Sequence, residues 1–64
     1  MINKLKEKRF FANMMTQDEL SVLSGIERSR ISRIENGYIQ PSKEEKKILA
    51  QALNSTVKEI FPGN

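Results

Sequence analysis

The stretch "GIERSRISRIENG", residues 25–37, governs how the whole 64-residue chain is read. It interleaves Arg28, Arg30 and Arg33 with Ile26, Ile31 and Ile34, and a glycine stands at each end. A helix face that met only water would be served as well by lysine, glutamate and alanine, which are good helix formers. Gly37 after Asn36 is a C-terminal stop signal, so the spacing predicts a helix over 28–36. At about 100° per residue, Ile31, Ile34 and Glu35 share one side of it. Ser29, Ser32, Arg33 and Asn36 fall opposite, Arg28 projects from the N-terminal end, and Arg30 sits on the flank. The segment therefore has two faces, one of core type and one rich in hydrogen-bond donors.

Upstream, "TQDEL" opens with Thr16 and Glu19 in capping-box register, each able to satisfy the other's exposed amide. Leu20 and Leu23 are expected to form that helix's buried side, and Gly25 to end it. Ile26 and Glu27 complete a very short connection. Two helices joined by about three residues that include glycine define a helix-turn-helix. The small Ser21 lets the second helix cross closely, and Gly25 takes positive φ without a side-chain clash. Nearer the N-terminus, Ile2, Leu5, Phe10 and Phe11 make an approximate helical stripe. Asn13 is its expected stop, since asparagine tolerates the left-handed conformation.

Downstream, "SKEE" from Ser42 to Glu45 is a second capping box, followed by the stripe Ile48, Leu49, Ala52 and Leu53, with Asn54 as a stop. Thr56 to Glu59 is a third, opening a short helix with Val57, Ile60 and Phe61 that ends at Pro62-Gly63. The same pattern recurs at Ser24–Glu27 and Ser32–Glu35. The first runs through Gly25 and the second lies inside a helix, so neither is expected to start one. The reading is an all-α fold of five helices with no strand, as a single domain over 1–64.

Composition narrows the function. The absence of cysteine and histidine removes disulfides and the usual zinc ligand sets, leaving helix packing, with or without a partner subunit, to hold so short a chain together. It also leaves few groups for acid–base or nucleophilic work, and no pocket is signalled that would tune them, so an enzyme is not expected. No cofactor and no small-molecule ligand is indicated. The net charge of +3 suits a polyanion. Residues 1–40 carry seven basic and five acidic side chains and residues 41–64 four and three, so a basic footprint must come from arrangement rather than from a tail. No apolar run approaches the roughly 20 residues of a membrane span, and "MINKLKEKRFF" lacks the apolar core of a signal peptide. The expected location is the cytoplasm.

A helix fits the DNA major groove with its first turns nearest the base edges. Arginine's planar fork can bond guanine O6 and N7 together, worth roughly 1–3 kcal/mol of discrimination. Arg28 and Arg33 are the leading candidates for that role, with Ser29 and Ser32 as short, adaptable partners. Arg30, on the flank, is placed to meet a phosphate. On an arbitrary small helix three arginines are usually only solvated. The serines between them, which are poorer helix formers, argue for a used face.

At this point "TQDELSVLSGIERSRISRIENG" followed by "QPSKEEKKILAQALNSTVKEIF" resembles the lambda-repressor-like, or Xre/Cro-type, helix-turn-helix family over residues 16–61. The resemblance implies a compact five-helix domain with its helix-turn-helix at about residues 17–36. It also implies operator-DNA binding, usually as a homodimer and commonly as a repressor, in a bacterial or phage-encoded regulator. Carried over residue by residue, Arg28, Ser29, Ser32 and Arg33 match base-facing positions. Gln17 matches a phosphate-fixing glutamine at a helix start, where anions are favoured. Asn36 matches a backbone-contacting position, and Tyr38, Gln40 and Lys43 lie where the family often touches phosphates.

There are departures. Glu27 replaces the usual serine or threonine cap of the recognition helix; a carboxylate suits the helix dipole but would lie near phosphates. The family's first helix often carries an arginine that pairs with the glutamate matching Glu35. Counting back from Gln17 puts Phe10 in that slot. If "ANMM" holds one extra residue, Arg9 takes it and Asn13 replaces the usual glycine. Lys43, Glu45, Lys46 and Lys47 stand at customarily apolar positions, which confines the fourth helix's expected core contact to its second half. A rival reading on the same scaffold is an antitoxin or anti-regulator acting mainly on another protein. Exposure of Phe11, Met14, Met15, Ile39 or Phe61 would favour it.

Overall fold

Three reciprocal side-chain caps punctuate the chain where local chemistry predicts them. In the computed structural model, which describes residues 3–63, the hydroxyls of Thr16, Ser42 and Thr56 accept from the amides of Glu19, Glu45 and Glu59. Each glutamate in turn accepts from its capping residue's own amide. The helices are α1 (Leu5–Phe11), α2 (Gln17–Ser24), α3 (Arg28–Glu35), α4 (Lys43–Ala52) and α5 (Val57–Ile60). There is no strand among the described residues. Ile2, expected on the first stripe, lies outside them.

Stops also follow the residue chemistry. Asn13 and Asn54 adopt φ of 62° and 55° after α1 and α4, and Gly25 closes α2 at φ 76°. A Cβ added at Gly25 would meet nothing within 4 Å, so glycine is favoured there by the backbone angle and not by crowding. Met14 also takes positive φ, 55°, so two consecutive left-handed residues form the α1–α2 turn. This is the extra residue of "ANMM". It lets Arg9, not Phe10, face α3.

One core joins all five helices: Leu5, Leu20, Ile26, Ile31, Ile34, Leu49, Ala50, Leu53, Ile60 and Phe61. α4 contributes only from its second half, as expected, and Lys46 lies with its Nζ 5.7 Å from the centre of the Phe61 ring. Three apolar expectations require correction. Phe10 and Phe11 are exposed, because Leu5 and Arg9, one turn apart, take the inward face of the seven-residue α1. Leu23 is exposed too. α2 meets its neighbours through Leu20 and the half-buried Gln17, Ser21 and Ser24, leaving the Val22–Leu23 arc in water.

The ends of α1 and α3 are tied by longer reaches. Asn3 Oδ1 accepts from the Leu5 amide at 2.9 Å while its Nδ2 donates to the Ile34 carbonyl at 2.8 Å. The Lys4 amide donates to the Ile60 carbonyl at 2.8 Å, fixing the start of α1 to α5.

Candidate nucleic-acid interface

The turn between α2 and α3 is set by Ser21 and Ser24. Ser21 Oγ donates to the Ile26 carbonyl at 2.6 Å, and the Ile26 amide donates to Ser24 Oγ at 3.2 Å. Ser21 is thus more than a small residue at a crossing point. Its hydroxyl satisfies a carbonyl that the tight turn takes away from helical partners. The register of α3 follows, with Ile31, Ile34 and Glu35 inward and Arg28, Ser29, Arg33 and Asn36 exposed. Ser32 is half-buried at the boundary.

Beneath α3, the inward polar residue is fully partnered. Arg9 Nε and Nη2 donate to Glu35 Oε2 and Oε1 at 2.7 and 3.3 Å, and Gln17 Nε2 donates to Oε1 at 2.9 Å. Arg9 Nη1 also donates to the Met15 carbonyl at 2.6 Å. This settles the register of the first helix in favour of Arg9. It also places the Gln17 side chain on Glu35, with the start of α2 directed to the same side as the start of α3.

The proposed base-facing residues converge in part. Gln17, Glu27, Arg28, Ser29 and Ser32 line one open groove of about 550 Å³ between the starts of α2 and α3. Arg33 and Asn36 continue the same side of α3 one turn on. Arg28 Nε lies 3.4 Å from Asp18 Oδ1, with both side chains mostly in water. Arg33 makes no ion pair with any described residue. Asn36 Nδ2 donates to the Ser32 carbonyl at 2.9 Å, which holds its amide at the C-terminal end. Glu27 precedes α3 with no side-chain capping bond, so the first amides of α3 remain open towards the groove.

Arg30 has a partner that spacing did not reveal. Its Nε and Nη2 donate to Glu45 Oε2 and Oε1 at 2.6 and 3.0 Å. Glu45 already caps Ser42, so one carboxylate joins the recognition helix to the start of α4. With Arg30 first and the Ser42 amide behind it, the Glu45 carboxyl is held down to about 2, and the pair stays ionised at any physiological pH. The guanidinium of Arg30 keeps its Nη1 edge outside this pair. Tyr38 and Gln40 are exposed on the loop between α3 and α4, and Lys43 is exposed at the first position of α4. The Tyr38 amide donates to the Arg33 carbonyl at 2.9 Å, and Gly37 takes φ 77°.

What this arrangement offers chemically is a protruding helix with short hydroxyls between guanidinium groups, flanked by two helix starts. Guanidinium groups and hydroxyls of this kind can donate hydrogen bonds to base edges and to phosphate oxygens. No helix among the described residues is long and apolar enough to cross a membrane. A family model described as helix-turn-helix matches residues 5–60. No curated protein matches the chain.

Proposed function

The chain belongs to the lambda-repressor-like helix-turn-helix family of DNA-binding regulators, and from that membership we propose that it is a sequence-specific repressor acting as one domain. α3 enters the major groove of a palindromic operator, with Arg28 and Arg33 reading guanines and Ser29 and Ser32 adjusting to neighbouring bases. Gln17, Arg30, Asn36, Tyr38, Gln40 and Lys43 set the register on phosphates. Gln17 does so through its helix-start amide while its side chain remains on Glu35. Arg30 does so through the Nη1 edge that Glu45 leaves open.

The observation that carries this reading is the division of α3. Ile31, Ile34 and Glu35 are buried, and the guanidinium groups of Arg28 and Arg33 stand on the opposite, exposed side. A dimer is proposed because one such helix contacts only a few base pairs, and with extents of 26 × 21 × 18 Å two copies have room on half-sites about 34 Å apart. Occupancy alone would then block polymerase in a bacterial or phage promoter, within the cytoplasm.

Selection of bound sequences from a random duplex pool tests the proposal. A palindromic motif preferred by roughly 10³-fold over random duplex, and affinity falling steeply with salt, is expected. Failure to enrich any sequence at low salt would refute it. One observation favours the second reading, in which the scaffold acts mainly on another protein: Phe11 and Met14 are exposed. Sequence preference and salt slope separate the two.

A further inference from the structure

A cluster of apolar side chains surrounds the α1–α2 turn and takes no part in the core. Phe10 and Phe11 are 54% and 73% exposed, Met14 68%, Val22 83% and Leu23 60%. The two phenylalanine rings meet edge to face at 6.2 Å, and the Met14 amide donates to the Phe10 carbonyl at 2.8 Å. Across the turn, Val22 and Leu23 line an open groove of about 390 Å³ with Ala12, Asn13, Met15 and Glu19. These five side chains leave on the order of 600 Å² of apolar area in water, at the upper limit for the largest patch of a typical monomer.

The charges around this face differ at its two ends. Along α1 and its N-terminal cap, Lys4, Lys6 and Lys8 outnumber Glu7. Beside Val22 and Leu23 the charge on the groove is Glu19, with no base in the helix, while Asp18 lies against Arg28. An apolar strip with one basic and one acidic end is complementary to itself after a two-fold rotation, which lays α1 of one copy over α2 of the other. Two such faces bury about 1,200 Å², the lower bound of the standard interface class. We propose that this α1–α2 face is covered by a second copy of the chain.

The recognition helix stays open in such a pair. On α2, Gln17 and Ser21 bond towards α3, whereas Glu19 and Leu23 face the Ala12–Met15 turn. The inference rests on the dimer reading above and adds the surface to it.

Sedimentation equilibrium of the intact chain without DNA should show a concentration-dependent dimer. F11E and V22E should each raise its dissociation constant about 10-fold or more, with unchanged helical circular dichroism. If either charge disturbs folding, F11A and V22A supply the same comparison. Since the chain has no cysteine, F11C and V22C can be mixed and treated with a short bis-maleimide. The mixture should give more cross-linked pair than either variant alone. A chain that stays monomeric up to about 1 mM would overturn both the dimer and the surface. A dimer that F11E and V22E leave intact would overturn the surface alone. Neither result touches the DNA reading, which is checked separately by binding of F11E to a single half-site.

Discussion

Replacing Arg9 with alanine should come close to unfolding the protein. The Glu35 side chain is 2% exposed and that of Arg9 12%, so the carboxylate has no route to water. Arginine supplies two of its three side-chain bonds, and Gln17 alone would remain to hold a buried negative charge. The Met15 carbonyl would lose its guanidinium donor as well. Breaking a buried pair from one side costs about 3–5 kcal/mol. A domain of 64 residues has in total about 3–10 kcal/mol of stability, at roughly 0.05–0.15 kcal/mol per residue. Urea titration followed by far-ultraviolet circular dichroism should therefore find Arg9→Ala partly or wholly unfolded in buffer. The pair Arg9→Met with Glu35→Leu should recover about 2 kcal/mol or more, because the stranded charge is then gone. A loss below about 1 kcal/mol in the single variant, or no recovery in the double, would refute this account of the network.

Four further outcomes are expected. Arg33→Ala should relax preference at one or two base pairs and cost about 1–3 kcal/mol on the preferred site, read from a randomised-site library; undiminished selectivity would remove Arg33 from base reading. Gln17→Ala, which keeps the amide and loses only the bond to Glu35, should leave duplex binding largely intact, whereas Gln17→Pro at the first position of α2 removes the amide and should weaken all duplexes alike. A loss confined to one sequence, measured by titration on matched and mismatched duplexes, would contradict the phosphate role. Glu45→Gln keeps a capping side chain but loses the ion pair to Arg30. Because the Glu45 carboxyl is depressed to about 2 from an ordinary 4.5, its stabilisation is fully present above 4.5 and fades as pH falls towards 2. The stability difference between wild type and Glu45→Gln, followed by urea melts, should accordingly be level above about pH 5 and close below it. Gly25→Ala should cost about 1–2 kcal/mol through backbone strain at φ 76° alone, and Gly25→Asn less, by thermal melts.

Signals that act over a few residues were legible in the sequence. All three capping boxes, the Asn13 and Asn54 stops and the Gly25 turn depend on groups at most four positions apart, so type and spacing decide them. The two-faced α3 was legible too, since Ile31, Ile34 and Glu35 fix its phase. The exposure of Phe10, Phe11 and Leu23 has no sequence signal, because a helix of seven or eight residues constrains phase poorly and periodicity says nothing of which neighbours exist. For the site, the Arg9–Glu35 pair was one of two alternatives that the family resemblance offered, and with the two residues 26 positions apart the choice hung on the extra residue at the Met14 turn. The bonds of Gln17 to Glu35 and of Arg30 to Glu45 span 18 and 15 positions and follow only once three helices are in place. The Ser21 hydroxyl had a local signal, a serine ahead of a glycine turn, which was read for its size and not for its donor.

Ser29, Ser32 and Arg33 make no side-chain hydrogen bond with the described residues, while Arg30 and Asn36 on the same helix are both tethered. Changes at the exposed Ser29 and Arg33 therefore break no bond within the fold, and at the half-buried Ser32 only packing is at stake. Under the DNA reading proposed above, the helix is an exchangeable address label on a fixed mount, and a descendant gene would be redirected to a new promoter by two or three codon changes without first acquiring a compensating stabiliser elsewhere.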